Sequence, residues 1–322
     1  MKKLVKGKNM KKVKEIFKKF PFVLFFKNMI DDSKKFFKYL LASYKLKNKK
    51  VTLNILSNEQ TIKKVKENRM SIVRYGDGEF MYISCNAPIT YQKFDGELRK
   101  KLLNILNVRD DRLLICLPEP LNTLSNLVKT SKWYWKYRIY KDFEYYSKLD
   151  MNYEYGNSFI SRPYIVYKDK SNKRNFFKLL KSIWENKDVI IIEGKHSCSG
   201  VGNDLFSKAK SLRRIICPDR DAYSFYDDII NYIQNNIVNS SNLLFLIALG
   251  PTAKPLVYDL VNIGFWAIDI GHIDSEYEWF LMNAKRKVKL SNKHTAEVGN
   301  NYCGDCNDKR YIESIIAKIG DE

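Results

Sequence analysis

The chain has 322 residues, room for one large domain or two ordinary ones, and 45% of them are hydrophobic, which excludes a disordered tail protein. Lys and Arg number 57 against 36 Asp and Glu, a net charge of +21, yet residues 1–50 alone hold 17 Lys against Glu15, Asp31 and Asp32 and carry +14 of it. A protein that coats nucleic acid keeps a basic surface throughout. Here the charge belongs to an arm, so nucleic acid is not the expected partner.

The longest clean apolar run in that arm, residues 20–26, is interrupted by Pro21 and closed by Lys27. A spanning helix needs roughly 20 apolar residues, and a secretory signal needs a small-residue cleavage site where Lys34, Lys35 and Lys38 follow instead. The expected location is therefore cytoplasmic. Phe37, Leu40, Leu41 and Tyr44 fall at i, i+3, i+4 and i+7 among Lys34, Lys35, Lys38 and Lys45. That pattern predicts a basic amphipathic helix suited to the inner face of an anionic membrane. The six cysteines, at 85, 116, 198, 217, 303 and 306, lack framework spacing and suit a reducing compartment. Cys303 and Cys306 form a lone CxxC whose one nearby candidate co-ligand is His294, and a polar loop with two thiols is the expected reading.

From residue 51 onward, short β-branched runs alternate with helix-period segments. Strands are predicted at 72–75, 113–117, 189–192, 214–217, 243–249 and 265–270, and helices at 96–106, 175–184, 204–210, 223–233 and 253–263. The run Leu243-Leu244-Phe245-Leu246-Ile247-Ala248-Leu249 reads as a strand buried on both faces, so the expected class is α/β with a doubly wound, mainly parallel sheet over residues 51–322. Residues 133–167 hold 13 aromatics in 35 residues and break the rhythm, as an insertion or lid would. Within it, Trp133, Trp135, Tyr153 and Tyr155 are candidates for stacking on sugar rings, or for core.

Open parallel sheets bind ligands beyond the carboxyl ends of their strands, and four segments lie there. In Arg74-Tyr75-Gly76-Asp77-Gly78-Glu79, glycines flank an acid pair of hard oxygen donors that suits Mg²⁺ or Mn²⁺. Arg74 can fork onto a phosphate or steady a carboxylate, and the plain alternative for Asp77 is a helix cap. In the stretch from Glu193 to Asp204, Gly194, Gly200 and Gly202 let backbone N–H groups approach an anion, while Asn203 or Asp204 could simply cap a helix. Gly250-Pro251-Thr252-Ala253 joins the most hydrophobic strand to a helix start that favours a diphosphate. Asp269 to Trp279 gathers His272, Asp274, Glu276 and Glu278. In extended chain these share a face, and in a helix Asp274 and Glu278 become i, i+4 neighbours, a source of a general base.

Together with Ser161-Arg162-Pro163-Tyr164 and Arg214-Ile215-Ile216-Cys217-Pro218, these segments resemble, in order from about residue 55 to 300, the GT-D-type bacterial glycosyltransferases, first catalogued as a domain of unknown function. The resemblance implies a Rossmann-like fold, a UDP-sugar donor (typically UDP-glucose), a divalent cation (Mn²⁺ or Mg²⁺), and a glycan or glycoprotein acceptor in surface-polysaccharide or protein glycosylation. It places the metal on Asp77 and Glu79, and the donor against Arg74, Gly202–Asp204 (through Asn203) and Gly250–Thr252 (through Pro251). The base falls to Glu278 or Asp274, with His272 in contact and Glu276 beside them. Lys195, His196 and Cys198 depart from the family pattern, and the CxxC lies outside it. A metal-dependent phosphohydrolase splitting nucleotide-sugars with water would use the same parts.

Overall fold

The computed structural model describes residues 21–320 apart from 292, 296–297 and 299–303. Among the described residues nine strands form one sheet: β1 Asn54–Ile55, β2 Ser71–Arg74, β3 Leu113–Leu117, β4 Glu154–Asn157, β5 Asp188–Gly194, β6 Ser211–Cys217, β7 Leu243–Ala248, β8 Ala267–Asp269 and β9 Ile315–Lys318. Their order is β1-β4-β3-β2-β8-β7-β5-β6-β9, and every neighbouring pair is parallel. The alternation of side chains along each strand feeds two cores. Val73, Ile115, Ile190, Phe245 and Ile247 pack on one face, and Ile72, Leu114, Ile191, Leu244 and Leu246 on the other. Both faces are covered, as an all-parallel sheet requires. The expected α/β class holds, and the helices that matter for the site are α1 Pro21–Lys45, α2 Asn58–Asn68, α3 Asp77–Cys85, α4 Gly96–Leu106, α5 Lys129–Lys141, α6 Lys173–Lys181, α7 Tyr226–Asn236, α8 Ala253–Asn262 and α9 Ile273–Leu281.

Two expectations are corrected. Residues 204–210 form turns rather than a helix. Leu205 spends its N–H on the Asn203 side chain (2.9 Å) and its carbonyl on the Trp184 indole (2.9 Å), so the i→i+4 ladder cannot start and Ser207 and Ala209 close tighter i→i+3 bonds instead. The aromatic segment is not a separate lid either: it supplies α5 and also β4, which is inserted between β3 and β1. Gly156 of β4 is obligatory there, because a Cβ would sit 2.5 Å from the Cys116 sulfur.

The four aromatics proposed for sugar stacking serve packing. Trp135 and Tyr155 are buried, Tyr153 stacks edge-on to Tyr155 at 4.8 Å under the Arg109 guanidinium, and Trp133 lies 5.1 Å from Phe36 of α1. The arm does form its amphipathic helix, and α1 rests on α5. Among the described residues no helix is long and apolar enough to cross a membrane. Cys303 lies outside the described residues, and Cys306 is half-buried near Tyr311.

Candidate active site

A cavity of about 300 Å³ opens at the carboxyl ends of β2, β5, β6, β7 and β8. Its walls include Gly76, Asp77 and Glu79 at the start of α3, Gly194 and Ser197 after β5, Asp219 after β6, Gly250, Pro251 and Lys254 around the start of α8, and His272, Asp274 and Ser275 around the start of α9. Arg74, Tyr91, Arg162 and His294 also line it. Gly202, Asn203, Asp204, Thr252, Glu276 and Glu278 are not on this wall. A wider hollow of about 380 Å³ at the opposite end of the strands, between Arg69, Arg112 and Trp266, has no acidic side chain in its lining.

Under the floor runs a chain of alternating charge that the sequence did not reveal. Arg74, closing β2, donates through Nε to the Asp269 carbonyl (2.7 Å) and through Nη2 to its Oδ1 (2.7 Å). Asp269 Oδ2 lies 3.1 Å from Lys254 Nζ, and Lys254 reaches on to Glu79 Oε1 at 2.5 Å and to the Gly250 carbonyl at 3.1 Å. Two cations and two anions alternate, so this nearly dry chain of four is itself neutral. Burial alone would push the Asp269 carboxyl up, but Arg74 and Lys254 together hold it below its ordinary value. Arg74 steadies a carboxylate, one of the two duties foreseen for it, and it also lines the cavity. Gly271 makes room for it: at φ +46° its absent Cβ would fall 2.0 Å from Arg74 Nη2. Gly271→Ala should therefore cost about 1–3 kcal/mol in urea unfolding and weaken donor binding together with it.

Asp77 and Glu79 sit two residues apart on α3, where side chains do not face each other, and they have different partners. Glu79 reaches back so that Oε2 accepts the Gly76 N–H (2.8 Å), with Lys254 on Oε1. Asp77 accepts the Tyr134 hydroxyl through Oδ2. Burial of the Tyr134 hydroxyl and the Asp77 charge push that phenol up, so it stays a donor. Among the described residues no group of three or more His, Cys, Asp and Glu is arranged to hold a metal. Two hard carboxylates without a third are nevertheless the donor set of an ion that completes its shell with substrate phosphates and water. Asp77 and Glu79 fit that in kind, with Asp77 the readier donor, since Glu79 has to share its oxygens with Lys254.

The acids of α9 are bound into a second knot. Asp274 Oδ1 accepts the Gly200 N–H (2.8 Å) and the Asn203 amide (2.9 Å), while its Oδ2 takes Lys293 Nζ (2.6 Å). Glu278, one turn on, accepts the same Asn203 amide (2.7 Å) and the same Lys293 (2.9 Å). Burial works against the Lys293 ammonium, but Asp274 and Glu278 hold it above its ordinary value. Asn203 thus ties the glycine loop to α9. Its neighbour Asp204 faces Lys181 (2.6 Å) and the Tyr277 hydroxyl, and Thr252 is buried beside Gln92. Glu276, 1% exposed, accepts the backbone N–H groups of Tyr164 (2.9 Å) and Ile165 (3.0 Å) and so pins the 161–165 loop.

Gly194 is a close-approach position, since a Cβ would lie 2.8 Å from Asp219 Oδ1. Asp219 in turn receives the His196 backbone N–H (2.9 Å) and faces the His196 ring. On the far rim Tyr91 stands between His272 (5.6 Å between ring centroids) and His294 (6.4 Å).

This geometry agrees with what the chain is similar to. The family described as glycosyltransferase GT-D fold matches residues 72–298. A Streptococcus gordonii protein named as the probable glycosyl transferase Gly is 42% identical over 274 residues, which is 84% of this chain and 39% of that protein. Glycosyltransferase GlyD of Streptococcus pneumoniae is 41% identical over 81% of this chain and 32% of its own length, so the chain spans well under half of these relatives. Among solved structures, a glycosyltransferase (DUF1792) from Streptococcus sanguinis superposes with a TM-score of 0.78 at 42% identity, covering 83% of this chain and 99% of that one. A structure of domain of unknown function 1792, described as having a distinct glycosyltransferase fold, gives 0.77 at 39% identity over 89% of this chain and 100% of that one. The family match runs through every wall of the cavity, and the chain belongs to the glycosyltransferases of the GT-D fold.

Proposed function

We propose that the chain transfers a hexose, with glucose the expected sugar, from a UDP-sugar to a glycan or glycoprotein acceptor in bacterial surface-polysaccharide or protein glycosylation. The observation that supports this best is a single cavity where the acid-bearing start of α3, the glycine-proline start of α8 and the His272–Asp274 turn converge at five strand ends. Mn²⁺ or Mg²⁺ would be held by Asp77 and Glu79 and would supply Lewis-acid neutralisation of the diphosphate. The chain's own groups act on the same charge. The amino end of α8 lies on the wall to meet the negative charge that grows on the departing diphosphate, while Lys254 at its base holds Glu79 and Asp269 in place.

In an inverting transfer the acceptor hydroxyl must lose a proton. Glu278 is behind the wall, and Asp274 has both oxygens engaged by three donors, so taking a proton would mean surrendering one of them. We therefore assign proton acceptance to His272, on the wall beside Tyr91, with Asp274 and Glu278 fixing the loop around it. The test is a thermal-shift panel of nucleotide-sugars with and without Mn²⁺, followed by a transfer assay. A stabilisation that needs both components supports the reading. No response to any nucleotide-sugar, or donor breakdown by water as fast as transfer, overturns it. His272→Gln should lower kcat/KM about 100-fold while leaving the nucleotide-sugar thermal shift in place. Full activity in His272→Gln, with the loss appearing in Asp274→Asn instead, would return the role to the carboxylate.

A further inference from the structure

Helix α1 has two apolar sides, and among the described residues only one of them is packed against the domain. Toward the domain, Phe36 lies 5.1 Å and Tyr39 6.5 Å from the Trp133 ring, Lys38 Nζ sits 5.2 Å above Tyr137, and Ala42 is fully buried. Away from it, Ile30, Phe37, Leu40, Leu41 and Tyr44 form a continuous helical stripe and stay 50%, 69%, 45%, 46% and 75% exposed. Scattered single apolar residues on a surface need no explanation, but five on one stripe of one helix do. Lys34 lies within the stripe and Lys45 at its end, both exposed, in an arm that carries +14 over its 50 residues.

We propose that this stripe is a docking surface for an anionic lipid bilayer, with the helix lying in the interface plane. Apolar rings and leucines would enter the headgroup boundary while lysines meet the lipid charge. Charge decides against the other occupants. A second copy of the chain seated on the stripe would bring two strongly basic arms face to face. A nucleic acid would be met by the lysines and would leave Phe37 and Leu41 in water. The seating also has a spatial consequence. Residue 134 follows Trp133 on α5, and its hydroxyl bonds Asp77, so the docked helix lies about one helix diameter, roughly 10 Å, from the cavity wall. The transfer site would then work close above the membrane surface.

Sedimentation of the full chain with vesicles of phosphatidylcholine alone and of phosphatidylcholine mixed with phosphatidylglycerol tests this. The chain should pellet with the anionic vesicles and stay in solution with the neutral ones. Phe37→Glu with Leu41→Glu should weaken partitioning at least tenfold. Lys34→Gln with Lys45→Gln, which keeps every apolar group, should weaken it roughly 30-fold, as two lysines near an anionic leaflet contribute. All three proteins should give the same circular dichroism and the same nucleotide-sugar thermal shift, which separates docking from the transfer reading. Equal pelleting with both vesicle types, or no loss in either variant, overturns the proposal. So does a dimer in light scattering that Phe37→Glu with Leu41→Glu dissociates, since the stripe would then belong to a second copy.

Discussion

Lys254→Met should destabilise the protein by about 3–5 kcal/mol, the cost of stranding buried charges by removing one partner. The side chain is 2% exposed, and its ammonium is the sole bridge between Glu79 (2.5 Å) and Asp269 (3.1 Å) among the described residues. Methionine keeps the stem and volume, so the loss is one of charge and not of packing. The urea midpoint should fall with an unchanged m-value. Adding Glu79→Gln, which lightens the stranded charge, should recover part of the loss, and additive effects would show that the two residues are not coupled.

The pH dependence has a definite sign. Asp269 is held below its ordinary value of 3.8 in the folded state, so its pairing contributes stability above that value and loses it as the pH falls through the lower folded one. The gap between wild type and Lys254→Met should therefore be widest near neutrality and narrow below about pH 4. A gap that stays constant into acid would mean that the lysine acts by packing alone.

The contrast between Lys254 and the strands shows what was legible in the letters. The strands with all-apolar runs, such as β5 and β7, announce themselves because burial on both faces demands it. β1, with two residues, and β4, reading Glu-Tyr-Gly-Asn, do not, because their place is set by neighbours far along the chain. The cavity walls were legible for the same reason: they follow strand ends, and the glycines and acids gathered there are few. What could not be read is which acid meets which base. Lys254 and Glu79 are 175 residues apart, Asp269 and Arg74 195, and Tyr134 and Asp77 57. A lysine on a helix reads as a surface residue, and only tertiary packing turns it inward. The acids of α9 were found as a cluster, yet helical spacing keeps only Asp274 and Glu278 on one side, where they share Lys293, and sends Glu276 to another, where it holds a loop.

Asp77→Asn should lower kcat/KM by about 10²–10³ while leaving the fold intact, the scale of losing one charge-stabilising group in a preorganised site. Asparagine keeps the shape, and its amide oxygen still accepts the Tyr134 hydroxyl, so α3 and α5 stay joined. Glu79 is a poorer probe, because it also caps α3 through the Gly76 N–H and balances Lys254, and its removal mixes stability with function. Tyr134→Phe separates the two further: it releases Asp77 Oδ2 without touching its charge, so a carboxylate that serves the donor should bind UDP with Mn²⁺ at least as tightly as before. Calorimetric titration of wild type, Asp77→Asn and Tyr134→Phe with UDP and Mn²⁺ reads this directly. The expected order has Asp77→Asn weakest, and an Asp77→Asn protein that binds the pair as the wild type does would remove this carboxylate from the donor site, leaving it only the tether between α3 and α5.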